Sequence, residues 1–351
     1  MSQLVQIGLN SAVLPQAPVS GPLVDTYGRV HSDLRVSVTD RCNIRCFYCM
    51  PETGAQFAPV KNLLSFPEIL RFLSVAAPLG VTKIRLTGGE PLLRPGIADL
   101  IEPITRIPEI RDIALTTNGV LLKQHARLLY EAGLRRLNIH LDTLDRKRFA
   151  AITRRDDLPK VLDGIEAALE AGFQVVKINA VALKGMTEPD VVSLVQFGRE
   201  RNIEVRFIEF MPLDAQHIWS LDRVLTADEM IGMLERAYGR LTAVQDADPR
   251  APATEYEFED GYRVGFIASV SRPFCLNCNR LRLTSDGKLR YCLFANEETD
   301  VRPLLERPDS ADSRTQIEQT IRETVWQKWI GHEINRTTFV APQRPMYSIG
   351  G

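Results

Sequence analysis

From residue 34 onward, short β-branched apolar runs alternate with stretches whose apolar residues recur every three or four positions. The runs predict strands over Leu34–Val38, Thr82–Thr87, Ile113–Thr117, Arg136–Leu141, Val175–Val181 and Val205–Glu209. Between them the longer period predicts helices over Phe66–Ala77 (capped by Ser65), Ile97–Thr105, Leu121–Ala132, Pro159–Ala171 and Pro189–Arg201. Alternation sustained this far implies right-handed βαβ crossovers and a parallel sheet. Six such strands fall short of the roughly eight of a closed barrel, so an α/β partial (β/α)6 barrel is expected over residues 31–225.

After residue 225 the pattern changes. A helix is predicted over Ala227–Tyr238, then a Pro/Ala/Asp-rich loop over Asp246–Ala253. Two alternating pairs follow, Tyr256–Phe258 with Tyr262–Ile267 around Asp260-Gly261, and Leu281–Leu283 with Leu289–Leu293 around Asp286-Gly287. Asp-Gly between such runs signals a hairpin. A last helix is predicted over Thr315–Trp329. A smaller, partly antiparallel C-terminal domain is expected over residues 226–351, and residues 1–30 read as an extended leader.

Hydrophobic residues make up 44% of the 351 and charged residues 25%, which excludes a disordered, collagen-like or coiled-coil chain. The 43 Lys and Arg nearly cancel the 44 Asp and Glu. That balance argues against a bulk nucleic-acid or membrane-surface binder, so an anionic ligand must be held by a few placed cations. No apolar run approaches the ~20 residues of a membrane helix. The first charge is Asp25, so neither a signal peptide nor a transit peptide is indicated. A cytoplasmic location is expected, where thiols stay reduced and six cysteines read as metal ligands or catalysts rather than staples.

The unusual residues fall at the carboxyl ends of the predicted strands, where the loops of a parallel α/β fold converge on one mouth. They are the cysteine loop after strand one, Gly88-Gly89-Glu90-Pro91 after strand two, Thr116-Thr117-Asn118-Gly119 at strand three and Glu209-Phe210-Met211-Pro212 at strand six. All six cysteines lie in two triples, Cys42-x3-Cys46-x2-Cys49 and Cys275-x2-Cys278-x13-Cys292. Folding the second hairpin about Asp286-Gly287 places Cys292 opposite Leu281, ~10 Å along the strand from Cys278, a gap that a bent loop closes. Disulfides, structural zinc and free core thiols are the competing readings; zinc normally takes four ligands, and His31 is a poor fourth. Iron–sulfur cubanes suit thiolate ligands best. Three thiolates on each leave one iron open to a ligand from outside the protein, which suggests two small-molecule sites facing each other.

Cys-x3-Cys-x2-Cys with Tyr48 before its last cysteine resembles the signature of the radical S-adenosylmethionine (SAM) superfamily. With Thr87-Gly88-Gly89-Glu90-Pro91 and the second triple, the chain resembles the GTP-cyclising family of molybdenum cofactor biosynthesis within it, from about residue 25 to Gly350-Gly351. The resemblance implies two [4Fe–4S] clusters. The first, on Cys42, Cys46 and Cys49, would chelate and cleave SAM; the second, on Cys275, Cys278 and Cys292, would meet the purine of GTP. A 5′-deoxyadenosyl radical would take the 3′ hydrogen of GTP, and C3′ would attack C8 to give 3′,8-cyclo-7,8-dihydro-GTP. The resemblance further implies a homodimer whose product passes to a cyclic pyranopterin monophosphate synthase. The electron donor is not indicated.

By motif position the resemblance assigns Tyr48, Gly89, His140 and Met211 to SAM. It assigns Arg35, Arg85, Thr116, Lys177, Arg280, Leu281 and Arg282 to GTP, with Arg282 also catalytic and Leu281 acting through its backbone. His140 stands in His140-Leu141-Asp142 where the family often has Ser. Independently, Gly88 and Gly89 let backbone approach closely, and Glu90 suits an ammonium. Arginine's planar fork suits phosphate, and the period of two sends Arg280 and Arg282 to one side. A Gly-Gly tail threaded into the active site is implied by the family. A radical SAM peptide or protein maturase, or a non-catalytic metal-binding regulator, would be told apart by metal content and by the need for the Arg280/Arg282 pair.

Overall fold

The computed structural model describes residues 16–350 apart from 247, 335, 337 and 338; Gly351 and the first fifteen residues of the expected leader lie outside the described residues. Strands β1 (Asp33–Ser37), β2 (Lys83–Thr87), β3 (Asp112–Thr117), β4 (Arg136–His140), β5 (Val175–Ala182) and β6 (Glu204–Glu209) lie side by side, each parallel to the next. Helices α1 (Phe66–Ala76), α2 (Ile97–Thr105), α3 (Leu122–Glu131), α4 (Arg146–Thr153), α5 (Leu158–Glu170) and α6 (Glu188–Arg201) occupy the crossovers. The start of α1 is a capping box: Ser65 accepts from the Glu68 backbone, and the Glu68 carboxylate accepts from Ser65 N–H. Ile69, Phe72, Leu73 and Ala76 then recur at helical spacing and are buried against the sheet.

The C-terminal region continues this sheet at both edges. After α7 (Ala227–Tyr238) come β7 (Leu241–Ala243), β8 (Thr254–Phe258) and β9 (Arg263–Ile267). Then β10 (Arg280–Leu283), β11 (Lys288–Arg290), β12 (Thr299–Asp300), α8 (Arg302–Leu305), α9 (Ala311–Trp326) and α10 (Met346–Ile349) complete the chain. Among the described residues twelve strands form one sheet, with β9 parallel to β6 and β10 parallel to β1. The antiparallel strands β8–β7 and β11–β12 hang outside them. The expected hairpins are present, and they cover the two edges that six parallel strands would leave unpaired.

Buried polar side chains fix the joints. Glu209, fully buried at the end of β6, accepts from the backbone N–H of Ala227, Val270 and Ser271 at 2.7–2.9 Å. One carboxylate thus ties the barrel to α7 and to the loop after β9. At the other end the chain is folded well before residue 30. A turn closed by the Val24–Val30 bridge buries Asp25 and His31. Arg29, paired with Asp25 at 2.6 Å, donates to the carbonyls of Cys275, Trp329 and Ile330.

This turn gives the protein an acid sensitivity of definite sign. Burial, against the Asp25 hydrogen bond, pushes His31 down to about 4; burial raises Asp25, but His31 and Arg29 hold it at about 2. Both folded values lie below the unfolded ones, so the unfolded chain binds more protons and stability is lost as the pH is lowered. The His31 share, on the order of 3 kcal/mol, is lost between pH ~6.5 and ~4, and Asp25 adds to the loss below ~4. The anaerobic urea midpoint should therefore drop between pH 7 and 4.5, and H31N should drop less. An equal drop in H31N would place the sensitivity elsewhere.

Candidate active site

A cavity of about 310 Å3 opens at the carboxyl ends of the parallel strands and is walled by all six cysteines. That volume lies in the range of small-molecule pockets. Of the residues predicted for SAM and GTP, Tyr48, Gly89, Thr116, His140, Met211, Arg35, Arg85, Arg280 and Arg282 also face it. Leu281 does not: its side chain is buried in the core and its backbone pairs with Leu34. Lys177 does not reach the wall either. Its ammonium is 2.5 Å from Glu204 and 3.7 Å from Glu255, and Arg206 shares the same two carboxylates.

The first cysteine loop is held from two sides. Arg45 and Phe47 donate backbone hydrogen bonds to Thr153 and Ile152 at the end of α4, a helix absent from the sequence prediction. From the other side, Gly89 N–H donates to Thr39 O and Glu90 N–H to Arg41 O, each at 2.7 Å. A Cβ on Gly88 would lie 2.6 Å from Thr39 O; one on Gly89 would lie 2.8 Å from Asp40 O and closer still to Arg41 O. The glycines are thus required by the approach of the cysteine loop itself.

Glu90 lies behind the cavity wall. Fully buried, it accepts from Leu92 N–H, Thr117 Oγ1 and Asn118 N–H, and burial pushes its carboxyl up to about 7 against those bonds. Asn118 in turn donates to Asn43 Oδ1 at 2.7 Å and to Cys42 Sγ at 3.7 Å. Glu90 therefore positions the first triple through Asn118. Tyr48 OH lies 2.7 Å from His140 Nε2 and also donates to Asp142, which is 3.1 Å from His140. Although burial alone would lower it, the Asp142 charge and hydrogen bond raise the His140 imidazole well above its ordinary value.

The second triple is gathered by the hairpin, with a register shifted by one residue from the expected one. Thr284 N–H bonds Lys288 O across a three-residue turn, Gly287 takes φ 82°, and Arg282 pairs with Arg290. Continuing that register puts Cys292 opposite Arg280, nearer Cys278 than predicted. Lys328 donates to Cys278 Sγ at 3.4 Å. Burial raises this thiol, yet Lys328 and Arg280 bring it down to about 6, so it is a thiolate at neutral pH. Burial drives Cys42, Cys49 and Cys275 the other way, Cys42 to about 12.

The donor sets fit iron–sulfur clusters. Among the described residues no group of three or more His, Cys, Asp or Glu side chains is gathered as it would be round a single metal ion. In a cubane each thiolate takes a different iron, so three sulfurs stand further apart than on one ion. All six cysteines are free thiols; His140 reaches Cys46 of the first triple, but no third His, Asp or Glu joins them among the described residues.

The same cavity is lined by a row of cations. The strand registers align Arg282 on β10 with Arg35 on β1, and Arg35 with Arg85 on β2. Aligned residues of adjacent parallel strands point to the same side, so three guanidiniums stand in line across one sheet. Arg282 is buried and donates to Gly350 O, and burial lowers it to about 10. The Nε atoms of Arg35 and Arg85 are buried with no partner among the described residues.

The C-terminal segment closes the cavity. Tyr347 lines it, donates its backbone N–H to Cys49, and packs edge-on against Phe57. Arg344 ties this segment to the second hairpin through Asp286 (3.1 Å) and Glu298 (3.0 Å). Gly350, with φ 79°, then lies against the paired Ser37 and Thr87 at the ends of β1 and β2, where a Cβ would lie 2.7 Å from Ser37 Cβ and 2.9 Å from Thr87 Oγ1. Sequence reasoning missed Asn118 as a link to Cys42, and it missed Asn179, Arg206, Lys328 and His332, which also line the cavity. Asn118 stood in a motif already noted, whereas Lys328, just after a helix, carried no signal.

Comparisons with known proteins bear on this geometry. Residues 36–198 match the radical SAM superfamily and residues 203–334 match the family described as Molybdenum Cofactor Synthesis C. The chain is 47% identical to a GTP 3′,8-cyclase of Rhodopirellula baltica, over 94% of this chain and 92% of the relative. It is 45% identical to a GTP 3′,8-cyclase of Streptomyces coelicolor, over 94% and 96%. Among solved structures, Streptococcus suis SuiB bound to S-adenosylmethionine superposes with TM-score 0.58 at 16% identity, over 85% of this chain and 68% of that one. Native anSMEcpe with bound AdoMet gives 0.54 at 15%, over 82% and 81%. These two share the fold.

Proposed function

The chain belongs to the GTP 3′,8-cyclase family of radical SAM enzymes, and from that membership we propose that it converts GTP to 3′,8-cyclo-7,8-dihydro-GTP in molybdenum cofactor biosynthesis. Two [4Fe–4S] clusters and SAM are the cofactors of this family. The observation that carries the assignment to this cavity is the row Arg85–Arg35–Arg282, buried at Arg282 and half-buried at the other two, lining one space with two cysteine triples. Like charges aligned in a protein interior persist where a polyanion completes them, and a triphosphate is that polyanion.

Cys42, Cys46 and Cys49 would hold one cluster and Cys275, Cys278 and Cys292 the other. When bound, the first supplies the electron that cleaves SAM to the 5′-deoxyadenosyl radical, and the second supplies an open iron for the purine. The chain's own residues do the rest. Arg35, Arg85, Arg280 and Arg282 neutralise and orient the nucleotide, with Thr116 beside them. Lys177 joins only if phosphate displaces Glu204 and Glu255. Tyr48, Gly89, His140 and Met211 shape the SAM side, and Gly350 with the tail excludes water from the space between. A homodimer in the cytoplasm, delivering product to a cyclic pyranopterin monophosphate synthase, is part of the same proposal.

Anaerobic, reduced enzyme supplied with SAM and GTP deuterated at C3′ should transfer the deuterium to 5′-deoxyadenosine. Unlabelled 5′-deoxyadenosine accompanied by cyclised nucleotide would refute the abstraction step.

A further inference from the structure

Lys328 follows α9 and is 2% exposed. Its Nζ donates to the Arg280 carbonyl at 2.8 Å and to Cys278 Sγ at 3.4 Å. No carboxylate pairs with it among the described residues. Its anionic neighbours are Cys278 and Cys292, while Arg280 opposes it. Beyond it lies His31, a neutral ring already bonded to Asp25, whose carboxylate is itself engaged by Arg29. An ammonium taken out of water without a carboxylate is heavily penalised unless a lasting anion faces it. The anion that Nζ faces is Cys278 Sγ, and a thiolate bound to iron keeps its charge, so the loaded protein gives Lys328 a lasting partner.

We propose that Lys328 is the resident counter-cation of the C-terminal iron–sulfur cluster, a positioning residue that clamps Cys278 to the strand bearing Arg280 and Arg282 and makes the cluster easier to reduce. The proposal rests on reading Cys275, Cys278 and Cys292 as cluster ligands. One-electron reduction adds negative charge beside the ammonium, and the N–H···S bond stabilises that charge more than it stabilises the oxidised form. Removing the ammonium must shift the balance toward the oxidised cluster. At this range and an effective dielectric of about 20, the ratio of reduced to oxidised cluster changes about tenfold or more. Because the same ammonium holds the Arg280 carbonyl, it also links cluster charge to the strand that grips the nucleotide.

The test compares K328M, similar in length but neutral, with K328R as anaerobically loaded full-length enzymes. Iron per chain is counted first, and then both clusters are followed by paramagnetic resonance during a reductive titration. In K328M the C-terminal cluster should be about tenfold less reduced at a fixed potential, with the N-terminal cluster unmoved; K328R should restore the parent value to within about twofold. Loss of the C-terminal iron in K328M but not in K328R would also support the proposal, because charge then decides retention. A fully loaded K328M with the parent's titration curve would overturn it. So would loss of that iron from both variants, which would show a need for lysine's shape instead. If the parent enzyme itself holds no C-terminal iron, it is the cluster reading that fails, and this is known before either variant is titrated.

Discussion

Gly89→Ala is expected to strip iron from the N-terminal cysteine loop and to lower turnover by more than ~100-fold, although the residue donates no ligand. The new methyl group would enter the space of the Arg41 carbonyl and sit 2.8 Å from Asp40 O. Neither atom is the end of a flexible side chain, so the strain cannot be shed by a rotamer change. Two backbone bonds at 2.7 Å, Gly89 N–H to Thr39 O and Glu90 N–H to Arg41 O, lock the loops together at this point. The methyl breaks that lock or pushes the segment next to Cys42 outward. Overpacking of this kind costs about 1–3 kcal/mol, and a displacement near 1 Å at a reacting site costs ~100-fold in rate. Iron analysis after anaerobic loading should show the C-terminal cluster retained and the N-terminal one lost. Full iron with weakened SAM binding alone would mean that the glycine serves the ligand and not the loop.

That contrast marks what the sequence conveys and what it withholds. Gly88-Gly89 announces that something approaches closely, but only the folded chain shows the cysteine loop to be the approaching group, since its position depends on contacts between residues far apart in sequence, such as Gly89 with Thr39. The six parallel strands were legible because β-branched runs and helical periods alternate over a long span. The role of the C-terminal strands was not. A hairpin encodes its own turn, and it carries no mark of which distant edge will receive it, so β10 beside β1 and β9 beside β6 were invisible. The eight-residue helix α4 escaped because its core face rests on few apolar positions, chiefly Phe149 and Ile152. Lys177 illustrates the converse. A lone cation in a strand reads as a site residue, but its register partner is Glu204, and local pairing is the simpler use. The Asp25–Arg29–His31 turn, at the end of an unremarkable leader, braces the second cysteine loop from over 200 residues away.

Arg35→Met should separate stability from function in opposite directions. Arg35 lies between Arg282 and Arg85 in register, on strands spaced by about 4.8 Å. Burial and those two neighbours depress its guanidinium, and the Asp33 charge only partly opposes them. Without nucleotide this row is a liability, and replacing its middle member by an apolar side chain of similar length relieves both desolvation and repulsion. The nucleotide-free, iron-loaded variant should be more stable than the parent by about 1–3 kcal/mol, by analogy with buried charges exchanged for hydrophobic groups. GTP affinity should fall about 100-fold, since a charge-assisted contact contributes about 1.5–3 kcal/mol and the row acts as a unit. Thermal unfolding with and without GTP measures both: ligand stabilisation grows as the logarithm of affinity, so at one saturating GTP concentration a variant that binds ~100-fold more weakly should gain about 2.7 kcal/mol less than the parent. A variant that is less stable and still binds GTP would make the row a structural ion network with partners yet unseen. Strain of this kind, tolerated in the empty site and released on binding, is what distinguishes cations placed for a ligand from cations placed for the fold.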